Sequence, residues 1–573
     1  MIKKLYNMLN NQEKYMTYSL ILFTIIALFF EIFGLALIFP IISLLIDESF
    51  NTTNFFLLHI NNFFESTRLK EYPALLLSLI VIVYVIKTVF QIIITFQQKR
   101  IVTKLTRNLS NKLYVSYINQ DFIYYTNNNK SKMIQFLQTE MVYFFNFFES
   151  LMGLIAELIL LFGIYFLVII IEPRGILILT FSYFLAGIIY YKILNKRIKS
   201  WGNLRLSIDQ TLSKLILETF NVIKEVILNN KHSNFINIFR SENSIKARYS
   251  SFQLTANQLP RIYFELVAII SIIAFIFLLI YLNTDPNLII FILAILGAAS
   301  FKLLPSVNKV ITYFQGVSYY SSSFNKIYDE LQDLNNDNRI VEPLNKKINF
   351  DHSIIIKDVS YNYSETSLIF NKINLKINKG DFIGVKGKSG VGKSTLINLL
   401  TGLINPTSGH ILLDNNQIKK YKRQFQNIIG YVSQNVFLLD ESIKKNIAFE
   451  LDDKFIDNQR VISSLKMVDL YDWAIKQEKG LNTSVGEGGV KISGGQRHRI
   501  GIASALYKDP EILFFDEPTS ALDKETQTEI MNSINKLSSF NKKTIVIVSH
   551  DESVLKICKS LYEIKNKDLI KIY

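Results

Sequence analysis

The chain has 573 residues, 49% of them hydrophobic, a formal net charge of +15 and a single cysteine. That length exceeds one ordinary core and points to two or more units. The lone Cys558 excludes an intramolecular disulfide and any metal site built on two cysteines. The excess of Lys and Arg is expected to face an anionic membrane leaflet, with no nucleic-acid partner.

In chain order, the first part holds six long apolar runs: Tyr18–Ile46, Ala74–Phe96, Leu151–Ile171, Gly175–Leu194, Ile262–Leu282 and Asn287–Val310. Each is long enough to cross a hydrocarbon layer of about 30 Å as a helix. Leu288–Ala299 and Ala268–Tyr281 are apolar around the whole helix circumference, which a half-buried helix of a soluble protein is not. The first run is too long for a cleavable signal and lacks a small-residue cleavage pattern before Glu31, Pro40 and Asp47, so it is expected to stay in the mature protein. Lys and Arg crowd the segments before the first run and between the second and third and the fourth and fifth. The positive-inside rule therefore predicts a cytoplasmic N-terminus, cytoplasmic long loops and a cytoplasmic C-terminal domain. Thr53–Phe64 reads as an amphipathic interfacial segment after the first span.

Four cations fall within or at the ends of these spans: Lys87, Arg261, Lys302 and Lys309, the last two on one helical face. Ionisable groups at such depths are costly and are candidate substrate ligands. A cationic lining suits an anionic head group such as a phosphate or pyrophosphate. The competing reading is that they snorkel to the interface or pair with Glu31, Glu157 or Glu265.

The predicted division is a transmembrane domain over 1–320, a linker over 321–347 and a nucleotide-binding domain over 348–573. In the last, Phe382–Val385 reads as a buried strand and Thr395–Leu400 as an apolar helix. Between them Gly387, Lys388, Ser389, Gly390, Val391, Gly392, Lys393, Ser394 and Thr395 fit G-x-x-x-x-G-K-[ST]. Consecutive backbone N–H groups in such a turn surround a triphosphate, Lys393 neutralises its β- and γ-phosphates, and the Ser394 hydroxyl reaches Mg²⁺. Ile512–Glu517 is an apolar strand ending in two acids, of which Asp516 is expected to orient Mg²⁺ and Glu517 to polarise the attacking water. Ser493, Gly494, Gly495 and Gln496 open a helix whose N-terminus offers N–H groups to a phosphate.

With these motifs in this order, the chain resembles the ATP-binding cassette (ABC) family. The resemblance implies that Tyr363 stacks on adenine, that Gln434 in Tyr431–Gln434 touches Mg²⁺, and that Ile492–Gln496 is the signature segment. It further implies that Asp523 in Ser520–Asp523 belongs to the loop facing the partner and that His550 contacts the γ-phosphate. Thr483–Glu487 resembles a loop of exporters in the family. Ile492, Ser504 and Asp551 depart from the commonest residues without removing a catalytic atom.

The implied fold is an α-helical transmembrane domain of six helices, exporter type, plus an α/β P-loop nucleotide-binding domain. The implied cofactors are ATP and Mg²⁺. The implied partner is a second cassette, since one per chain leaves each ATP to be sandwiched between two; the intact motifs make a second copy the economical reading, with a heterodimer as the alternative, and the implied coupling helices lie near Gln120–Thr126 and Lys224–Lys231. Glu31–Pro40, Pro260–Tyr263 and Lys302–Lys309 also resemble segments of flippases for lipid-linked oligosaccharides, with Lys at several positions where Arg is expected. The implied cargo is a polyprenyl-pyrophosphate glycan in the bacterial inner membrane. Lipid A, peptides or another amphiphile form the alternative, and a non-transporting ATPase is disfavoured by the apolar spans.

Overall fold

The computed structural model describes residues 2–36, 73–171, 173–284, 286–336, 348–363, 367–519, 524–541 and 543–573. They form two compact units, 1–120 with 125–339 and 121–124 with 340–573. The segment Thr53–Phe64 and the end of the first apolar run lie outside the described residues.

The first unit is helical. Its long helices are α1 (Asn11–Ala36), α2 (Pro73–Ile118), α3 (Met141–Ile171), α4 (Pro173–Asn221), α5 (His232–Tyr281) and α6 (Pro286–Asn336). Each carries one of the predicted runs. Among the described residues, five helices are long and apolar enough to cross a membrane, lying in α1 to α5. The helices continue past the apolar runs because their polar extensions keep a packed stripe. Phe147 of α3 stacks on Phe324 of α6 with ring centroids 4.6 Å apart. At Gly202 of α4, a Cβ would stand 2.1 Å from the Tyr319 carbonyl oxygen of α6, so only glycine lets these backbones approach.

The division predicted at Ser321 is not where the helix ends. α6 runs on to Asn336 because Phe324, Ile327, Leu331 and Leu334 recur at helical spacing and are buried. Their polar neighbours hide that stripe in a linker-like composition.

A charged cluster is also buried in this unit. Arg205 of α4 is 1% exposed and pairs with Glu140 at 3.0 Å and Asp209 at 3.2 Å. Lys246 of α5 reaches Asp209 at 2.6 Å. Glu140 closes a π-helical turn, Phe136–Glu140, and the Arg205 guanidinium lies 3.6 Å from the Tyr143 ring centroid.

The second unit has two sheets. β1 (Ser353–Asn362), β2 (Leu368–Asn378), β4 (Ser408–Leu413) and β5 (Asn416–Gln417) form an antiparallel sheet in the order β2-β1-β4-β5. The other sheet has the order β10-β9-β3-β8-β7-β6. Its members are β3 (Phe382–Lys386), β6 (Ile429–Val432), β7 (Ile512–Asp516), β8 (Thr544–Ser549), β9 (Ser560–Lys565) and β10 (Asp568–Lys571). All its pairings are parallel except β10 with β9. Its central strands β7 and β8 are buried throughout and read as continuous apolar runs, as parallel strands covered on both faces do. Cys558 is buried against this sheet, and burial pushes its thiol up to about 12, as expected of a small core residue.

Asp414 and Asn415 join β4 to β5 with φ of 45° and 72°, the conformation of a tight hairpin turn. The Asp414 carboxylate accepts backbone N–H groups from Asp351, His352 and Ser353 at 2.5, 2.8 and 2.7 Å. Partial burial raises its pKa, but these three donors outweigh that and hold it below the ordinary carboxylate value. Its stabilisation is therefore complete above an ordinary pKa of about 3.9 and lost as pH falls through the lower folded value. Asp414→Asn should lower the thermal midpoint at neutral pH, with the deficit shrinking toward zero on acidification. A deficit independent of pH would assign the loss to turn geometry instead.

Candidate functional site

The phosphate-binding loop leaves β3 at Lys386 and enters α7 (Lys393–Leu400). Gly390 and Gly392 have φ of 82° and 110°, and a Cβ on Gly392 would stand 2.6 Å from Ile369 Cγ2. Both positions thus exclude L side chains, which is the local reason for the Gly-rich spacing. Buried Lys393 donates from Nζ to the Gly387 and Lys388 carbonyls at 2.9 and 3.3 Å, so the loop curls around its own ammonium. The Tyr363 ring is 57% exposed, with its hydroxyl 3.3 Å from Thr395 Oγ1 and its plane edge-on to Tyr361. An open aromatic face beside the phosphate loop fits the predicted adenine contact.

β7 delivers the two acids. Asp516 ends the buried strand, and Glu517 turns into the left-handed region at φ 47°, a costly conformation for a residue with a side chain. Its amide donates to the Val548 carbonyl at 2.8 Å, which holds the turn against β8. The Glu517 carboxylate gathers three predicted residues. Oε1 lies 3.0 Å from Lys393 Nζ and 3.1 Å from His550 Nδ1, and Oε2 accepts from Gln434 Nε2 at 3.0 Å.

Environment separates the two acids. Burial raises the Asp516 pKa, helped by the neighbouring Glu517 charge and only partly offset by the Ser394 hydroxyl and Lys393. Partial burial also pushes Glu517 up, but Lys393 and His550 outweigh it and leave the carboxyl below its ordinary value. Glu517 is thus the ionised group suited to accept a proton from water.

Asp516 Oδ1 is buried and has no hydrogen-bond partner. With the Ser394 hydroxyl bonded to the same side chain, this orphaned oxygen fits one inner or water-mediated contact to Mg²⁺. Among the described residues there is no cluster of three or more His, Cys, Asp or Glu that could hold a metal ion. Bound there, Mg²⁺ would neutralise charge on the β- and γ-phosphates.

The signature segment opens α8 (Gly494–Tyr507). Ser493 Oγ accepts from the Gln496 amide at 3.2 Å, and Gln496 Oε1 accepts from the Ser493 amide at 2.9 Å, a reciprocal capping box. The Ser493 hydroxyl accepts in this box and keeps its own proton to donate. His498, which sequence reasoning passed over, is 1% exposed, with Nδ1 3.2 Å from the Gly494 carbonyl and Nε2 3.3 Å from that of Gln434. It ties the signature helix to the Gln434 segment. Its signal was a histidine one helical turn after Gly494. Ser520–Asp523 lie outside the described residues.

The four membrane cations do not converge on one point. Lys87 and Lys302 share Glu31, at 2.5 and 3.0 Å, while Lys309 pairs with Glu157 at 2.8 Å. Arg261 is exposed and enters none of the ion pairs among the described residues. The predicted shared face of Lys302 and Lys309 is thus split between two carboxylates. The first cluster, with two ammonium groups and one carboxylate, keeps an excess positive charge.

Residues 370–520 match the family model described as ABC transporter. The chain is 38% identical over 205 residues to an ATP-dependent lipid A-core flippase of Wigglesworthia glossinidia brevipalpis, covering 35% of each. It is 36% identical over 220 residues to a leukotoxin translocation ATP-binding protein of Mannheimia glucosida, covering 38% of this chain and 30% of that one. The chain therefore spans only about a third of the length of the curated relatives it matches. Among solved structures, that of a bacterial Atm1-family ABC exporter with ATP bound superposes with a TM-score of 0.77 at 19% identity, covering 98% of this chain and 95% of that one. The chain thus has the fold of an ABC exporter, a helical membrane domain followed by an ABC-type nucleotide-binding domain.

Proposed function

We propose that this chain is one half of an ATP-driven exporter that works as a homodimer and flips an amphiphile with an anionic head group across the bacterial cytoplasmic membrane. The observation that carries the ATPase reading is the gathering of Lys393, Gln434 and His550 on the Glu517 carboxylate. An ionised acid held among a phosphate-loop lysine, a side-chain amide and an imidazole is arranged for water activation and γ-phosphate stabilisation. A complete set of nucleotide motifs in one chain favours two equal sites made by two copies, each offering its Ser493–Gln496 segment to the other's phosphate loop. Asp523 would contribute to that shared site. The six apolar runs of the sequence support six spans, and the Lys and Arg of the loops support a cytoplasmic nucleotide domain.

For cargo, the reading is a polyprenyl-pyrophosphate-linked oligosaccharide. Lys87 and Lys302 hold one carboxylate between two ammonium groups, so an arriving phosphate can replace Glu31 on the more exposed Lys302, whose side chain is 28% accessible against 8% for Lys87. Lys309 and Arg261 would meet the substrate nearer the helix ends. The second reading is lipid A, favoured by the match to a lipid A-core flippase, and it shares the phosphate chemistry.

Reconstitution in liposomes with fluorescent polyprenyl-pyrophosphate oligosaccharide in one arm and labelled lipid A in the other tests both. Lys302→Ala should cut translocation roughly tenfold or more, the cost of losing a charge-assisted contact, while basal ATP hydrolysis stays near wild type. Lys309→Ala should cost less. Neither lipid moving despite healthy hydrolysis would sink the cargo reading and leave the ATPase reading standing.

A further inference from the structure

The Gln434 amide is bonded to the Glu517 carboxylate, yet Gln434 is exposed and packing does not hold its side chain. Where the amide stands is therefore decided by its backbone. The segment from Gln434 to Leu438 belongs to no helix or strand and is seated on α8 by two contacts of different kinds. Gly501 makes the apolar one. A Cβ there would stand 2.8 Å from both γ-carbons of Val436, so the helix forgoes a side chain where the segment comes in. His498 makes the polar one, three residues earlier and hence on the same face of α8. Its Nε2 lies 3.3 Å from the Gln434 carbonyl and its Nδ1 3.2 Å from the Gly494 carbonyl.

Both neighbours of the ring are carbonyl oxygens, which only accept. The Gly494 carbonyl sits in the ladder of α8, where it receives the amide four residues on, whereas the Gln434 carbonyl lies outside any helix or strand. The imidazole N–H is therefore assigned to Nε2, facing Gln434. With His498 only 1% exposed, its surroundings fix the ring and offer that donor in one place.

We propose that His498 is a positioning residue for ATP hydrolysis. It fastens the Gln434 backbone to the helix that begins at the signature segment, and so holds the Gln434 amide on Glu517. The carboxylate is aimed at water only while the Gln434 segment is seated on α8. Both bonds of His498 go to main-chain carbonyls and neither to Glu517 or the phosphate loop, so its effect passes through Gln434. The inference rests on the reading of Glu517 as the general base.

The test measures steady-state phosphate release and equilibrium ATP binding on the full chain in nanodiscs. His498→Gln and His498→Met put side chains of nearly equal length and volume in place of the ring, and of the two only glutamine donates. The Met variant should lower kcat about five- to tenfold, the effect of one hydrogen bond, with ATP affinity within about twofold of wild type. The Gln variant should keep most of the wild-type kcat. A residue that only supported the fold would cause a loss that multiplies with any other, whereas one acting through Gln434 would not. In a chain already carrying Gln434→Ala, His498→Met should therefore cost less than about twofold in kcat. Gly501→Ala leaves the ring in place and presses a methyl group against Val436, which gives a second variant should the Met variant fold poorly. It should lower kcat about threefold or more in the wild type and less than about twofold beside Gln434→Ala. The proposal is overturned if the Met and Gln variants hydrolyse alike, if the losses from His498→Met and Gln434→Ala multiply, or if ATP affinity falls in step with kcat. Near wild-type turnover in Glu517→Gln would sink the general-base reading and this inference with it, an outcome told apart by the variant that produces it.

Discussion

Glu517→Gln should bind ATP as the wild type does and hydrolyse it about two to four orders of magnitude more slowly, the usual contribution of a positioned general base. The glutamine is nearly isosteric, so the left-handed turn after β7 and the amide bond to Val548 survive. Its carbonyl still accepts from Gln434. What disappears is the negative charge that Lys393 and His550 hold ionised at 3.0 and 3.1 Å, and with it the ability to take a proton from water. Nucleotide binding measured at equilibrium beside steady-state phosphate release separates the two effects. Turnover within a few fold of wild type would remove Glu517 from the chemistry and turn attention to Asp516. The same variant is the control for liposome transport, since movement that persists in it is not driven by hydrolysis.

Arg205→Ala should destabilise the helical unit by about 3–5 kcal/mol, the range seen when one partner of a buried ion pair is removed. Glu140 is 0% exposed and Asp209 3%, so neither carboxylate can turn to solvent when the guanidinium goes. Asp209 keeps Lys246 at 2.6 Å, and Glu140 keeps only the Gln135 amide at 3.1 Å. The stranded charge is therefore chiefly that of Glu140. Arg205→Met combined with Glu140→Gln should recover a large part of the loss, because it removes the charge and its counter-charge together. Thermal inactivation of detergent-solubilised protein reads both variants. If Arg205→Ala loses no more than a surface substitution, the cluster is hydrated and the burial argument fails.

This cluster also shows why part of the molecule was hidden in the sequence. Arg205 and Asp209 stand four residues apart on α4, the pattern of an exposed helical ion pair worth a few tenths of a kcal/mol. Only the packing of α3, α5 and α6 around them makes the pair buried and costly. The end of α6 was hidden for a related reason. Its apolar stripe from Phe324 to Leu334 is set among Asn, Asp and Ser residues that read as a linker until the partners of that stripe are known.

The glycine loop between β3 and α7 was legible because its geometry is local. Phosphates are held by consecutive backbone N–H groups, so the loop from Gly387 to Thr395 must carry glycines where φ is positive and a lysine at the helix start. The strand that ends in Asp516 and Glu517 announces itself by being apolar on both faces. The sequence by itself thus determined the apolar helices, the glycine loop and the buried strand that leads to Asp516 and Glu517. Tertiary structure alone decided which charges meet. Glu31, Lys87 and Lys302 lie on three different helices, and no spacing rule says that one carboxylate will sit between those two lysines while Lys309 goes to Glu157. Pairing across helices depends on how each helix is rotated and how closely it approaches its neighbour. Those are set by the summed packing of many side chains, a global quantity that no local pattern encodes.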